Sequence, residues 1–428
     1  MHANRGIFYG WVIVATAAVG LLLGAFPITV FSFGVFFPSF VREFHASRAA
    51  VSLAFTIHNL VSGAAAVLVG RLADRFSIRR VILPGLLSLA LLLISAEAIG
   101  SHIGTLYAFY FALGVAAPAT TTVPYALVVS RWFDRRRGLA IGLMMVGLGV
   151  GAMAMPPVAQ RLIAAFGWRS ALAIVGCAIL LLPVPIVGLL LRDRPADMDL
   201  LPDGESPSGP RMAVAAAIDG VSWAESYRSR TFWVMVTAFA LLAASVHGCV
   251  VHMPELFADR GASAASAAAA SSVIGAALLL GRIGSGYFLD RYFGPSVALF
   301  ICAGAATGMT LLLSGTTGPL ALAGAFLVGV GMGAEVDIMA FLMGRYFGVR
   351  SLGSTFGFAF GAFVIAGGLG PLAMGFAFDL TGSYRLPLAG FFVATLAAGA
   401  LVTRIGPYRF DVIDRRQSPT RGHVDAHA

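Results

Sequence analysis

Apolar residues fall into twelve long runs separated by short polar turns. The runs cover roughly 8–38, 48–71, 80–100, 104–131, 138–163, 168–191, 232–257, 264–289, 295–314, 317–345, 352–379 and 384–404. A helix needs about 20 apolar residues to cross a bilayer. These runs are long enough, and too uniformly apolar for barrel strands, which alternate in-facing and out-facing residues. The pattern predicts an all-α membrane protein of about twelve transmembrane helices. One long polar stretch interrupts it at 192–231 and begins RDRPADMDLLPDGESPSGPR. Its Pro, Asp, Gly and Ser content marks a linker. The expected organisation is a six-helix bundle at 1–191, the linker at 192–231, a second bundle at 232–405 and a tail at 406–428.

The two bundles repeat one another. GRLADRFSIRR at 70–80 is echoed by GSGYFLDR at 284–291, which aligns Gly70 with Gly286, Leu72 with Phe288, Asp74 with Asp290 and Arg75 with Arg291. RWFDRRRGLAIG at 131–142 is echoed by RYFGVRSLGSTFG at 345–357, GWR at 167–169 by SYR at 383–385, and FYGWV at 8–12 by TFWVM at 231–235. The echoes keep their order, each about half a chain later. Parallel repeats joined by a central linker describe transporters whose site lies near the membrane midplane between the halves.

Composition agrees with this and removes one alternative. The chain is 58% hydrophobic and 11% charged, with mean hydropathy +0.87, where a soluble domain is about a quarter charged. All 29 cationic residues are arginine, and the net charge of +9 could suggest nucleic acid. The arginines instead cluster at 71–80, 131–137, 192–230, 282–291, 345–350 and 404–421, in turns that fall on one face. The other face carries Arg42, Arg48, Arg161, Arg169, Arg260 and Arg385. This is the positive-inside pattern. It predicts a multi-pass protein of the bacterial inner membrane with both termini and the linker cytoplasmic, lipid as its solvent and no nucleic-acid partner. The run after Arg5 continues to about Phe40, too long for a signal peptide. Cys177, Cys249 and Cys302 lie singly in apolar runs, with neither a disulfide framework nor metal spacing, and no cofactor loop is present.

The polar residues inside the runs are the candidates for chemistry. Arg282 stands alone in an apolar helix, about 12 Å from Asp290 at a rise of about 1.5 Å per residue. A guanidinium at that depth is costly unless it faces a partner, water or an anionic ligand. Its planar fork suits a carboxylate; the alternative is a packing salt bridge. Asp337 lies eight residues before Arg345, as Arg282 lies eight before Asp290, so their depths match. Asp337 continues the small-residue stripe Gly329–Gly333 and is expected to face the cavity. Glu335, about 200° away around the helix, serves either a proton site or a helix contact. His58 and Asn59 sit near mid-depth of the second run and His247 near mid-depth of the seventh. Thr121 and Tyr125 offer hydroxyls at the depth of Arg282.

The segment Gly70–Arg80 resembles the loop signature of the major facilitator superfamily, with Ser77 where that signature has glycine. The resemblance implies a twelve-helix fold and a cytoplasmic gate made by Gly70, Asp74, Arg75, Arg79 and Arg80, with Asp290 and Arg291 as the counterpart in the second half. SFGVFFPSFVREFHASRAAVS at 32–52, VHMPELFADRG at 251–261 and GRIGSG at 281–286 resemble the monocarboxylate transporter family and its bacterial oxalate/formate-type relatives. That likeness implies that Arg282 holds a substrate carboxylate and that His252 or Asp259 takes part in proton coupling. The chain has no lysine for the lysine-dependent roles of that family.

The expectation is therefore a functional monomer that moves a small organic anion, a monocarboxylate, together with a proton by alternating access. Arg282, Tyr125, Thr121, His58, Asn59 and His247 are its candidate substrate contacts, and Asp337, Glu335, His252 and Asp259 its candidate proton carriers. Anion exchange and drug/proton antiport stay open, although Gly147–Gly151 is followed by Ala152 and not by the proline of drug antiporters. A membrane-embedded enzyme or a transceptor is a more distant alternative, since no nucleophile–base spacing is visible. The topology is testable: a cysteine placed at Ser206 in a cysteine-free background is expected to resist an impermeant thiol reagent in sealed cells and to react once the membrane is opened. Labelling in sealed cells would invert the orientation.

Overall fold

The computed structural model describes residues 8–133, 136–198, 200–204, 221–315, 317–348 and 352–408; inside its helices the side chains at 67, 70, 71, 73–75, 137, 138, 264 and 352–354 also lie outside the description. The apolar runs are helical, the form that satisfies every backbone group within one segment in lipid. Eleven described stretches are long and apolar enough to cross a membrane. One of them, Leu139–Leu190, has 52 residues, more than twice the length a bilayer needs. Gly167 in its middle has φ 81° and ψ 166°, which a side chain would strain. The chain breaks there into two crossings, giving twelve.

The crossings are numbered α1–α12. α1 comprises Tyr9–Leu22, a π-helical turn Pro27–Phe31 and Phe33–Phe44. α2 is Arg48–Arg75 and α3 is Arg79–Ile94. α4 comprises Ile103–Ala116, a 3-10 turn Ala117–Thr120 and Thr122–Trp132. α5 and α6 are the parts of Arg137–Leu181 before and after Gly167, α6 continuing through Pro183–Leu190. After the linker come α7 Arg230–Ala258, α8 Ala264–Leu289, α9 Gly294–Leu313, α10 Gly318–Phe347, α11 Leu352–Thr381 and α12 Arg385–Val402. The face that carries Tyr9, the linker and Val402 is called inner, the opposite face outer.

The breaks in α1 and α4 adjoin. Pro27 and Pro118 lack an N–H and interrupt the helical ladder. The Ala25 N–H donates to Thr120 Oγ1 at 3.2 Å, so the break in α4 satisfies a donor at the break in α1. Linker residues brace the inner face. The Asp193 carboxylate accepts the Ile78 and Arg79 N–H groups at 2.7 and 3.0 Å, capping the start of α3. A capping box at Ser222 and Glu225 opens a short helix, Trp223–Arg228, whose Trp223 and Tyr227 rings pack on Phe358 of α11. The middle of the expected linker, 205–220, and nearly all of the expected tail lie outside the described residues.

Glycines reveal where the halves touch. A Cβ on Gly275 of α8 would come within 2.6 Å of the Ala152 backbone of α5. One on Gly375 of α11 would reach Arg48 and Ala49 of α2 at 2.9 Å, and one on Gly34 of α1 would reach Val251 O of α7 at 2.5 Å. These sites lie in the outer half. On the inner parts of the same helices, Gly142, Gly286, Gly357 and Gly361 have nothing within 4 Å. The halves pack backbone to backbone at these outer positions.

Within the second half a tight seam joins α8 to α10. A Cβ on Gly333 would lie 2.1 Å from Leu278 O, and one on Gly329 would meet Ile274 and Ala277 at 2.9 Å. Gly329 and Gly333 therefore face α8, as small residues in membrane helices permit close backbones. Gly333→Ala is expected to lower stability by about 1–3 kcal/mol through overpacking. Gly344→Ala on the same helix, where a Cβ meets nothing within 4 Å, should be neutral or stabilising. Thermal unfolding of detergent-purified protein by intrinsic fluorescence checks both; equal midpoints would refute the seam.

Candidate functional site

The α8–α10 seam delivers the first site. Ile274 lies against Gly329 and Leu278 against Gly333. Four residues further along each helix come Arg282 and Asp337, with Arg282 Nε 3.4 Å from Asp337 Oδ2. Steps of four keep one ridge in one groove. The stripe ends where two glycines' worth of close approach is replaced by an ion pair.

The pair is loose. Arg282 Nε makes no hydrogen bond, so the attraction is electrostatic without donor geometry. Nη1 donates weakly to the Met145 sulfur of α5 at 3.9 Å. The side chains are 27% and 36% exposed. Arg282 thus sits on the boundary, its acid in its own half and its thioether neighbour in the other. A guanidinium held this way keeps donors for a bidentate carboxylate. Leu148, one turn outward from Met145, lines a narrow cleft with Leu21, Phe26, Pro27 and Thr121 at the breaks of α1 and α4. Thr121 is therefore near the site, though its hydroxyl donates to Pro118 O at 2.8 Å.

Most other mid-depth candidates are placed elsewhere. Tyr125 is 0% exposed, with its hydroxyl against Gly20 of α1 and without a hydrogen-bond partner. His58 is buried inside the first half beside Tyr110. Both belong to bundle packing in this conformation and do not face Arg282. Asn59 donates to Phe55 O at 2.9 Å and its Cβ side meets Gly368 of α11, in the seam between the halves. Glu335 is 1% exposed, with Oε1 3.7 Å from His247 Nδ1 of α7. That nitrogen also lies 3.0 Å from Ala243 O and, since a carbonyl only accepts, carries the proton. Glu335 and His247 therefore form a helix–helix contact inside the second half, away from the cavity.

A second cluster closes the outer face. Arg48, at the start of α2, donates through Nη1 and Nη2 to both oxygens of Asp259, each at 2.9 Å. Its Nη2 lies 3.3 Å from Glu255 Oε2, and its guanidinium stacks over Phe378 at 3.8 Å. The N–H groups of Arg48 and Ala49 donate to the two oxygens of Asp379 at 3.0 and 2.9 Å. Tyr384 OH accepts from Arg48 Nη1 at 2.5 Å and so donates its own proton to His252 Nδ1 at 3.0 Å. Burial pushes the Tyr384 phenol upward, so it stays a neutral donor. His252 Nε2 then carries the ring proton, with Pro371 O and Ser52 Oγ both at 3.0 Å. Thus His252 and Asp259 belong to the outer closure, and neither adjoins Arg282. At the outer end of the first half, Arg169 donates to Glu43 at 2.8 Å.

The chain matches the Major Facilitator Superfamily over residues 14–371. It belongs to that superfamily. Human monocarboxylate transporter 11 is 30% identical over 394 residues, covering 88% of this chain and 78% of the relative. Bovine monocarboxylate transporter 13 is 29% identical, covering 92% and 89%. Two solved structures share the fold: an inward-facing, occupied bacterial homologue of the lysosomal transporter Spinster, with TM-score 0.71, 16% identity and coverage of 94% and 97%, and a D-xylose–proton symporter, with TM-score 0.70, 15% identity and coverage of 93% and 98%.

The inner-face residues expected to form a superfamily gate are only partly visible. The side chains of Gly70, Asp74 and Arg75 lie outside the described residues. Arg79 donates through Nη2 to Gly188 O within its own half, and Arg80 is exposed. Asp290 stands at the C-cap of α8, and Arg291 folds over Tyr287 at 3.6 Å. Sequence reasoning missed Arg48, Glu255, Asp379 and Tyr384 as one unit. The signal available was the one-sided spacing of His252, Glu255 and Asp259 on α7. Nothing marked Met145.

Arg282→Lys is expected to keep charge and fold but lose about ten- to a hundredfold in affinity for the anion. Its point-like ammonium cannot reproduce the fork, and a charge-assisted bond is worth about 1.5–3 kcal/mol. Binding calorimetry on well-expressed protein checks this; unchanged affinity would leave Arg282 a packing residue.

Proposed function

We propose that this protein is a secondary transporter that moves a small monocarboxylate together with a proton, with the inner face in the cytoplasm. One observation carries the reading. Arg282 lies on the boundary between the halves, and its pair with Asp337 leaves the donor fork without oxygen acceptors. The names of its relatives support the substrate class. The close packing of the halves in their outer parts, locked by the Arg48 cluster, supports alternating access, in which rocking of the halves exposes the site to each side in turn.

The coupling follows from one guanidinium shared by two anions. Without substrate, Arg282 is the counter-ion of Asp337. An entering carboxylate takes up the Nη donors and draws the guanidinium's charge to itself. Asp337, losing its cation, completes the exchange by accepting a proton. Anion at Arg282 and proton at Asp337 favour one another, and linkage makes the effect reciprocal. The loaded site then carries one Arg⁺ charge and one substrate charge, which suits passage through the occluded state.

Asp337→Asn is expected to abolish monocarboxylate accumulation driven by a pH gradient in proteoliposomes, while substrate exchange at equal pH persists, because the amide resembles the protonated acid. Gradient-driven accumulation in Asp337→Asn would remove Asp337 as the carrier. Absence of both accumulation and exchange with small monocarboxylates in the parent would remove the substrate class.

A further inference from the structure

We infer that Glu255 is the proton-binding group of the outer gate: Arg48 and a proton compete for it, and opening the outer face takes up a proton from that side. This goes beyond the Arg282–Asp337 site, which lies deeper in the protein and on other helices.

The argument begins with ownership. Arg48 belongs to the first half. Every acid around it belongs to the second: Glu255 and Asp259 on α7 and Asp379 on α11. Closure of the outer face inserts one cation of one half into an acidic cage of the other. Opening must withdraw it, and the cage is then left with acids alone.

The three acids are not equivalent. Asp259 and Asp379 are exposed, and water can replace Arg48 for both. Glu255 is 7% exposed. Its Oε2 faces Arg48 at 3.3 Å, and its Oε1 is buried without any hydrogen-bond partner. Glu255 therefore depends on Arg48 more than its neighbours do, and even in the closed state one oxygen is unsatisfied. A proton on Glu255 removes the charge that Arg48 neutralises and needs no other partner from the first half.

Among the described residues the cations that act on Glu255 are Arg48 and Arg42, both of the first half. The charged and titratable groups facing Glu255 are Arg48 of α2, Arg42 at the end of α1, Asp259 and His252 on its own helix, Asp379 of α11 and Tyr384 at the start of α12. Both cations, Arg42 and Arg48, belong to the first half and move with it. His252 is occupied by Tyr384, Pro371 and Ser52. Its link to Arg48 through Tyr384 also breaks when the guanidinium leaves.

The direction follows by linkage. The outer-open state lacks Arg48 at Glu255 and binds a proton there more tightly than the closed state does, so acid favours opening. For a single proton the open-to-closed ratio changes by at most about tenfold per pH unit.

Spin labels at Ser101 and Ser314, exposed on the outer face in opposite halves, would follow the gate by pulsed electron resonance in nanodiscs without substrate. The background is cysteine-free. Acidification from neutral toward about pH 5, where carboxylates gain protons, is expected to raise the long-distance population. In Glu255→Gln that population should be high at neutral pH and independent of pH. Arg48→Gln, an independent route if Glu255→Gln folds poorly, should likewise open the gate and lose most of the pH response. Asp259→Asn and Asp337→Asn should keep the response. An unresponsive parent, an undiminished response in Glu255→Gln, or a response lost in Asp259→Asn would each overturn the assignment. The readout involves no transported anion, so failure of the monocarboxylate reading would leave it intact.

Discussion

A guanidinium in or near hydrocarbon must have a partner, and two of them sit on the seam between the halves of this protein. Arg48 at the outer end is saturated. It has two oxygens of Asp259, the Tyr384 hydroxyl, the edge of Glu255 and an aromatic face. Arg282 at mid-depth is under-coordinated, with one acid at 3.4 Å and one thioether. The saturated arginine holds a conformation and the under-coordinated one can accept a ligand. Both properties come from the same residue type. They are set by how many acceptors the packing brings to each.

That packing is largely the work of glycine. The α8–α10 seam closes because Gly329 and Gly333 let the α10 backbone reach Ile274 and Leu278, and the close approach fixes the register that places Arg282 against Asp337. The seam between halves uses the same device at Gly34, Gly275, Gly368 and Gly375. There the contact must also be reversible. Small-residue faces suit sliding, since no side chain has to be withdrawn from a hole. The few polar bonds that cross it, such as Thr56 Oγ1 to Gly368 O at 2.7 Å, are single contacts between a hydroxyl and a backbone carbonyl.

The twelve crossings were legible because apolar length is a property of each run taken alone. The split at Gly167 was equally legible, since the expected turn at 163–168 contains it. Arg282 stood out because a charge in an apolar run is rare, and Asp337 because its spacing to Arg345 copies the spacing of Arg282 to Asp290. What failed to show was orientation within the bundle. Depth along a helix can be counted, but rotation about its axis depends on neighbours. Tyr125 and Arg282 share a depth, yet Tyr125 turns toward Gly20. Gly329 and Gly333 face Ile274 and Leu278 of α8, a pairing that the spacing of small residues alone does not name. The cage around Arg48 draws on α2, α7, α11 and the turn before α12, elements up to 336 residues apart, so no local pattern contains it.

The outer closure must also be breakable. A transporter works only if its states lie within a few kcal/mol of each other, since moving an equilibrium from 1:99 to 99:1 takes about 5.5 kcal/mol. Counted as buried charge-assisted bonds at about 1.5–3 kcal/mol each, the bonds of Arg48 would exceed that and trap the closed state. Two of its three acids are exposed, and exposed pairs contribute about 0–1 kcal/mol. The lock is therefore extensive in geometry and moderate in energy. Only the Glu255 contact is substantially desolvated, so the strength of the closure rests disproportionately on one carboxylate. Protonating that group changes the balance by about 1.4 kcal/mol per pH unit at most, a sizeable part of what one cycle requires. An acid buried more deeply would leave the gate insensitive to the medium, and an acid as open as Asp259 would contribute too little to close it.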